Sequence, residues 1–400
     1  MKILMLGWEL PPHNSGGLGV ACYQLCKNLA ESGADIDFVL PYDADHQISF
    51  MNITAAHPQG IAAILKSGIA YDSYKYIYED GHEETLSVYD QQSLYEMSVA
   101  RLAEQKEFDI IHAHDWLTFR AGIRVKQQSG KPLIAHVHSI ESDRAGGAKG
   151  NPIVRDIEYN AFLVADKIIA VSDFTRQSIV REYGIPVEKI EVVHNSIDPQ
   201  LFEELEGENT YRYLQTMKQQ GYRVVVNVGR LTIQKGLTGF LKAAKLVVDH
   251  RPKTIFLIVG NGDQYEELVT LAADLGIGRN VLFVGFQRGS RWRDAFAVAD
   301  LFVMPSVSEP FGIVALEAVG YGTPVLMSRQ SGVSEVLQNA LKVDFWDEKE
   351  MANQMVGALS SQPLLDEMLA GSTREYNQMS WVGSANKIMG LYAEHQGAAA

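Results

Sequence analysis

Cysteine is nearly absent: Cys22 and Cys26 are the only two in 400 residues, too few for a disulfide-stapled scaffold. Four positions apart on one predicted helix, they share a face, and burial as small apolar residues is expected ahead of a bridge or metal pair. Long apolar runs are also missing. None approaches the roughly 20 residues that span a bilayer, and Met1-Lys2 run straight into an apolar strand, so neither a transmembrane segment nor a secretory leader is expected. A reducing cytoplasm is the expected setting. Positive charge is in deficit: 35 Lys and Arg against 49 Asp and Glu leave a net −14. That balance argues against nucleic acid or an anionic membrane as the main partner. The dinucleotide fingerprint is incomplete as well. Gly17 and Gly19 are followed by Cys22 where a third glycine belongs, and Gly260 and Gly262 by Tyr265.

What is present is alternation. Strand-like runs at 2–6, 35–40, 109–113, 132–137, 167–171 and 189–193, and again at 223–228, 254–259, 280–284, 300–304 and 324–327, are separated by helical patterns such as 17–32, 151–165, 236–249 and 262–275. Such alternation predicts an α/β chain with parallel sheets. The length suits two domains, and polar residues dominate 198–222. The expected organisation is therefore two Rossmann-like doubly wound domains, 1–198 and 199–375, facing a central cleft. An irregular insert is expected at 43–107, where Tyr71, Tyr74, Tyr76 and Tyr78 could stack on sugar rings or simply face solvent. A last helix, about 374–394, contains Trp381. The terminal Gln396-Gly397-Ala398-Ala399-Ala400 is read as a tail outside the fold.

Chemistry concentrates at four places. In SEPFGIVALEAVGYGTP, residues 308–324, a predicted strand ends before Glu309, Pro310 and Gly312 break the chain, and a helix carries Ile313 to Val319. Glu309 then lies just outside a strand end and Glu317 about two helical turns in, with the free amides of a helix start between them. An anion on those amides and hydroxyls on the carboxylates would suit a sugar joined to a nucleoside diphosphate. In NVGRLTIQKG, residues 227–236, Arg230 and Lys235 follow a strand end and suit a diphosphate. In GWELPPHNSGGLG, Gly16-Gly17 open a helix where backbone can approach a phosphate. In AHVHSIESDR, a strand delivers His138, with Glu141, Asp143 and Arg144 beyond. His112/His114 and His136/His138 form two His-x-His strands, a weak metal signal on their own. The acid pairs Asp35-x-Asp37 and Asp43-x-Asp45 lie at a strand start and in a polar loop, and no metal is assigned to either.

The 308–324 string resembles the signature of retaining nucleotide-sugar glycosyltransferases of the glycogen synthase and sucrose synthase group. NVGRLTIQKG resembles that group's donor-diphosphate loop, and HAHDW (112–116) and AVSDFTRQSIVREYGIPVEKIEVVHNSID (170–198) are similar to further stretches of it. The resemblance covers about 1–42 and 108–394 and leaves the insert unaccounted for. It implies the GT-B architecture, with the last helix (376–394) crossing back to the first domain. It also implies a metal-independent, configuration-retaining hexosyl transfer from a nucleotide sugar to an unassigned hydroxyl acceptor, with no further cofactor. Glu309 would hold sugar hydroxyls and Glu317 the ribose, with Phe311, Gly312, Ile313 and Val314 lining the donor. Arg230, Lys235, Gly16 and Gly17 would serve the phosphates, His138 the transferred sugar, and Asp115 the wall beside it.

Two departures qualify the resemblance. Asn14 stands where glycogen and starch synthases carry a phosphate-reaching lysine, which points away from ADP-glucose glucan synthesis, and Ser196 replaces a usual glycine. Two rival activities share these features: a nucleotide-sugar epimerase of the same fold, which needs no acceptor, and a non-catalytic nucleotide-sugar sensor.

Overall fold

The computed structural model describes residues 1–13, 17–43, 46–56, 58, 60–66, 74–198 and 208–396. The chain divides into two compact units, Met1–Ile140 with Asn151–Ser196 and Ser380–Ala400, and Glu141–Gly150 with Ile197–Met379. The first unit opens with β1 (Lys2–Leu6), α1 (Gly17–Glu31), β2 (Asp35–Leu40) and β3 (Asn52–Ala55). An antiparallel trio follows, β4 (Ile61–Lys66), β5 (Tyr74–Tyr78) and β6 (Glu83–Glu84). Then come α2 (Val88–Ala103), β7 (Ile110–His114), α3 (Asp115–Ser129) and β8 (Leu133–Val137). After the short α4 (Glu141–Arg144), which belongs to the second unit, α5 (Pro152–Val164), β9 (Lys167–Ala170), α6 (Asp173–Tyr183) and β10 (Ile190–Val192) complete the layers.

The main sheet of this unit is parallel, in the order β10-β9-β8-β7-β1-β2-β3. Ile3 to Leu6 and Ile110 to His114 are buried without alternation, as strands covered by helices on both faces must be. Helix boundaries follow local chemistry: Ser172 caps α6 by accepting from the Thr175 amide at 3.0 Å, and Gly184 ends that helix at φ 66°.

The second unit runs α7 (Arg212–Gln219), β11 (Arg223–Val228), α8 (Leu237–His250), β12 (Thr254–Val259), α9 (Tyr265–Asp274), β13 (Val281–Phe283), α10 (Ser290–Val298), β14 (Leu301–Met304), α11 (Ile313–Gly320), β15 (Val325–Ser328), β16 (Leu341–Val343), α12 (Glu348–Ser360) and α13 (Gln362–Tyr376). Its sheet is parallel in the order β13-β12-β11-β14-β15-β16. Phe240 of α8 meets Phe256 of β12 edge-on at 5.7 Å within a core that includes Val225, Val303 and Leu326. Both sheets reverse strand order once, between β1 and β7 and between β11 and β14. Those reversals open crevices at the carboxyl ends of the strands.

The structure corrects three expectations. The helix expected at 374–394 is two helices, since α13 stops at Tyr376 and α14 (Trp381–Gln396) begins afresh, packing against α1 in the first unit. The region 43–107 is more regular than its sequence suggests, because β3 joins the main sheet and α2 covers 88–103. Within it Tyr74 and Tyr76 are buried, as alternate residues of β5 must be, so they serve packing rather than a sugar platform. Tyr74 stacks on Tyr42 at 5.5 Å and donates to the Trp8 carbonyl; Tyr71 lies outside the described residues. Asp37 pairs with Lys106 at 2.6 Å and Asp43 accepts from the Ile64 amide; Asp45 also lies outside the described residues.

Gly260 shows why the 260–262 loop is glycine-rich without being a dinucleotide fingerprint. At φ 145°, a Cβ there would sit 1.8 Å from the Gly229 carbonyl oxygen. Gly260→Ala is expected to cost about 2–4 kcal/mol and to lower the melting temperature in calorimetry. Gly278→Ala, whose Cβ would meet nothing within 4 Å, serves as the control. Equal melts for the two variants would mean that these loops part more easily than the geometry requires.

Candidate active site

In the second unit β11 and β14 are neighbours in register, Val225 beside Leu301 and Val226 beside Phe302. The loops that leave them, 229–236 and 305–312, therefore start side by side. Their backbones are fastened together: the Val307 amide donates to Gln234 O at 2.9 Å, and Gln234 Nε2 donates to Ser308 O at 3.1 Å. Gly236, at φ 69°, allows this approach, since a Cβ would lie 2.1 Å from the Pro305 carbonyl oxygen.

This fastening brings Lys235 to Glu309, with Nζ 2.6 Å from Oε2. Ser306 Oγ donates to the same oxygen at 2.9 Å. The Glu309 backbone is held on its other side, its amide donating to Gln330 O and its carbonyl accepting from the Gly332 amide, both at 2.9 Å. Only 8% of Glu309 is exposed. Next to it, Ser308 Oγ donates to Asp143 Oδ1 from the 141–150 segment, and Gly146 packs on Ile233. Arg230 is exposed at the start of its loop.

Phe311 is buried, and Gly312 at φ 104° starts α11 close over Glu309. A Cβ at Gly312 would meet Met304 Cε at 2.9 Å and Glu309 Cγ at 3.1 Å. Half-buried Ile313 and Val314 form the first turn, whose amides have no intrahelical acceptor. Further along, Glu317 Oε2 is enclosed without a hydrogen-bond partner. Burial pushes the Glu317 carboxyl up to about 7, opposed by a hydrogen bond from Trp292 of α10.

In the first unit, Gly17 opens α1 exposed, with open space around its α-carbon, and Gly16 lies outside the described residues. Asp115 follows β7 in the left-handed region, φ 58°, a costly conformation for aspartate. Its carboxylate accepts from the amides of His138 at 2.7 Å and Ser139 at 3.3 Å. Asp115 thus positions the turn after β8.

His138 ends a packed group of four imidazoles. His112 and His114 stack at 4.5 Å, and His136 and His138 at 4.4 Å. His112 Nε2 meets His136 Nδ1 at 3.0 Å, and Tyr392 of α14 bonds His112 Nδ1. His114 Nε2 lies 3.1 Å from Met5 Sδ, and His114 Nδ1 lies 2.9 Å from His138 Nε2. A thioether can only accept, so His114 carries its proton on Nε2. Its Nδ1 must then accept, and His138 Nε2–H donates. One methionine thereby fixes the tautomer of His138 through His114.

Of the residues expected from the sequence, the structure pairs Lys235 with Glu309 and brings Asp143 to Ser308; Ser306, Ser308, Trp292 and Met5 were not singled out. The Ser-x-Ser-Glu spacing was a usable signal for the two serines; no local signal marks the others.

Burial pulls His112 and His138 down to about 3 and holds His114 and His136 well below the usual range. The folded state refuses protons that the unfolded chain accepts below about pH 6.5. Stability should therefore fall as pH drops from 6.5 toward 3, by about 1.4 kcal/mol per pH unit for each fully buried histidine. Ring-proton NMR shifts of His112, His114 and His136 should stay constant from pH 8 to 5. Titration near 6.5 would mean that the rings are hydrated.

The chain matches two family models, Glycosyl transferases group 1 over residues 215–372 and Glycosyltransferase Family 4 over 15–201. It is 29% identical to an uncharacterised glycosyltransferase of Methanocaldococcus jannaschii across 98% of each chain. It is 27% identical to a glycogen synthase of Mycobacterium tuberculosis, across 85% of this chain and 80% of that one. Anabaena HepE in complex with UDP-glucose superposes with a TM-score of 0.73 at 19% identity, covering 98% of this chain and 100% of that one.

Proposed function

Because the chain is a glycosyltransferase of the GT-B fold, we propose that it moves a sugar from a nucleoside diphosphate sugar to a hydroxyl acceptor with retention of configuration. The observation that carries this reading is the Lys235–Glu309 pair at the β11/β14 strand reversal, beside Gly312 at the start of α11. Cleavage of the bond between the sugar's anomeric carbon and the diphosphate leaves negative charge on the phosphate oxygens. Lys235, Arg230 and the Ile313 and Val314 amides supply positive potential there, the role a divalent cation would otherwise fill.

The acceptor oxygen forms the new bond to the anomeric carbon, and its proton passes to the departing phosphate. Glu309 holds sugar hydroxyls, and Phe311 and Gly312 shape the turn beneath them. The family resemblance implies that His138 serves the transferred sugar. Glu317 Oε2 is an acceptor in search of a donor, which a ribose diol supplies. The HepE complex makes UDP-glucose the first donor to try. Nucleotide release from UDP-, ADP- and GDP-sugars, with and without sugar, inositol phosphate and glucan acceptors, tests the reading. Acceptor-dependent release supports it, whereas sugar conversion without release would favour an epimerase and binding without turnover a sensor.

In the ligand-free protein Lys235 and Glu309 neutralise each other, and a bound donor replaces that pairing with separate partners. Glu309→Ala is therefore expected to lower transfer by about 10²–10³-fold, with nucleotide affinity little changed because Lys235 is released. Arg230→Ala should instead weaken nucleotide binding about tenfold. Equal binding losses in both, with transfer retained in the Glu309 variant, would overturn the assignment.

The free fold favours protonated Glu317, so its ionisation costs stability as pH rises from about 4.5 through 7. Ribose hydroxyls favour the ionised carboxylate. Nucleotide affinity should then rise with pH up to about 7 and level off, with proton uptake into buffer measurable by calorimetry. Glu317→Gln should flatten the profile, and a profile unchanged in that variant would remove Glu317 from the ribose.

A further inference from the structure

The layer between the first sheet and α1 collects soft metal ligands in a buried place that the transfer reaction does not explain. Cys22 of α1 is 1% exposed and His114 is fully buried. One donor atom each from Cys22, His114 and His138 lies within 4.8 Å of the other two. A second trio, His112, His114 and His136, meets the same limit and shares His114. His136 Nε2 is enclosed without a hydrogen-bond partner. At tetrahedral angles, zinc–sulfur and zinc–nitrogen bonds of about 2.3 and 2.0–2.1 Å put two ligand atoms of one ion roughly 3.3–3.6 Å apart, so side-chain shifts of about an ångström close the set.

We propose that Cys22, His114 and His138 form a binding site for a zinc-class transition-metal ion. The ligand chemistry is selective. A thiolate with neutral imidazoles suits zinc and its neighbours and repels magnesium and calcium, which require oxygen. Neutral rings at physiological pH mean that protons do not compete for the imidazole lone pairs. His114 keeps its Nε2–H on Met5 Sδ and offers Nδ1, while His138 carries its proton on the nitrogen turned away from the ion. One proton leaves, from the Cys22 thiol, and a sulfur–metal bond takes the place of the S–H bond. His112 and His136 form the surrounding layer, tied to Tyr392. The ion displaces the His114–His138 hydrogen bond, so occupancy reorients the ring that the proposed transfer reaction uses. The site itself stands independently of that reaction.

Cobalt(II) is the probe, loaded by dialysis and, separately, by refolding in its presence. The expected result is one ion per chain, release of one proton, and an intense thiolate-to-cobalt absorption in the near ultraviolet. Cys26 is the only other cysteine, so the decisive variant is Cys26→Ala, in which only Cys22 can supply a thiolate. Retention of the band in Cys26→Ala and its loss in Cys22→Ser carry the proposal. Absence of the band in the wild-type chain by either loading route, or its loss in Cys26→Ala with the fold intact by circular dichroism, overturns it. Zinc competition should bleach the band with about tenfold or greater preference, and failure of zinc to displace cobalt would also overturn the assignment. None of these readouts requires a donor sugar, so failure of the transferase reading leaves them unaffected.

Discussion

Parallel adjacency of β11 and β14 is the constraint from which the second unit's chemistry follows. Two strands hydrogen-bonded in register deliver their outgoing loops to the same place, and the loops then have no room for side chains between them. Gly236 lies so close to Pro305 that a methyl group would overlap its carbonyl oxygen, and Gly260 meets Gly229 in the same way. Gln234 fills the remaining hydrogen bonds with its backbone carbonyl and its side-chain amide. Lys235 and Glu309 are left with a narrow choice of positions and meet at 2.6 Å. Desolvating such a pair offsets much of its attraction, so its contribution to folding is small. Its effect is that two charges are kept in place, each satisfied by the other.

The first unit builds its strand ends by a different device. Four imidazoles stand where a parallel sheet would ordinarily carry aliphatic residues. Burial of that much polar surface is tolerable only because the rings remain neutral and bond mainly to one another, to Tyr392 and to Met5. The cost is sensitivity to acid. The gain is order: stacked rings bonded at their edges have few alternative rotamers, and Asp115, itself held in a strained conformation, fixes the turn that carries His138.

Strand and helix positions were legible because parallel strands buried on both faces are continuous apolar runs, and most boundaries fall within a residue or two of expectation. The exceptions have local causes. The 374–394 pattern conceals a break because helical periodicity continues across Gln378 to Ser380, where the backbone does not. Strand β5 was hidden because its segment mixes tyrosines with acids and shows no clean period, although Tyr74 spends its hydroxyl on the Trp8 carbonyl. Glu309, Lys235 and Glu317 were legible because their spacing from strand ends and glycines is short-range. Met5, Tyr392 and Trp292 were not, since each reaches the site from an element distant in sequence, and no local pattern encodes such a contact.

Glu317 shows how an apparent flaw in packing defines a role. A carboxylate on an eight-residue helix that is otherwise apolar, with one oxygen enclosed and lacking a partner, destabilises the free protein at neutral pH. An apolar side chain there would carry no such desolvation cost. Trp292 already directs an N–H at the carboxylate and satisfies only part of its capacity. The unfilled capacity is the kind that hydroxyl donors complete, because an ionised carboxyl can accept several hydrogen bonds and donate none. The same reasoning separates Glu317 from Glu309, whose oxygen is already occupied by Lys235 and Ser306 and must exchange partners to act. On the proposed reading, one acid gains partners when a donor binds and the other trades them, so the first would tune affinity while the second would be free to act on the sugar.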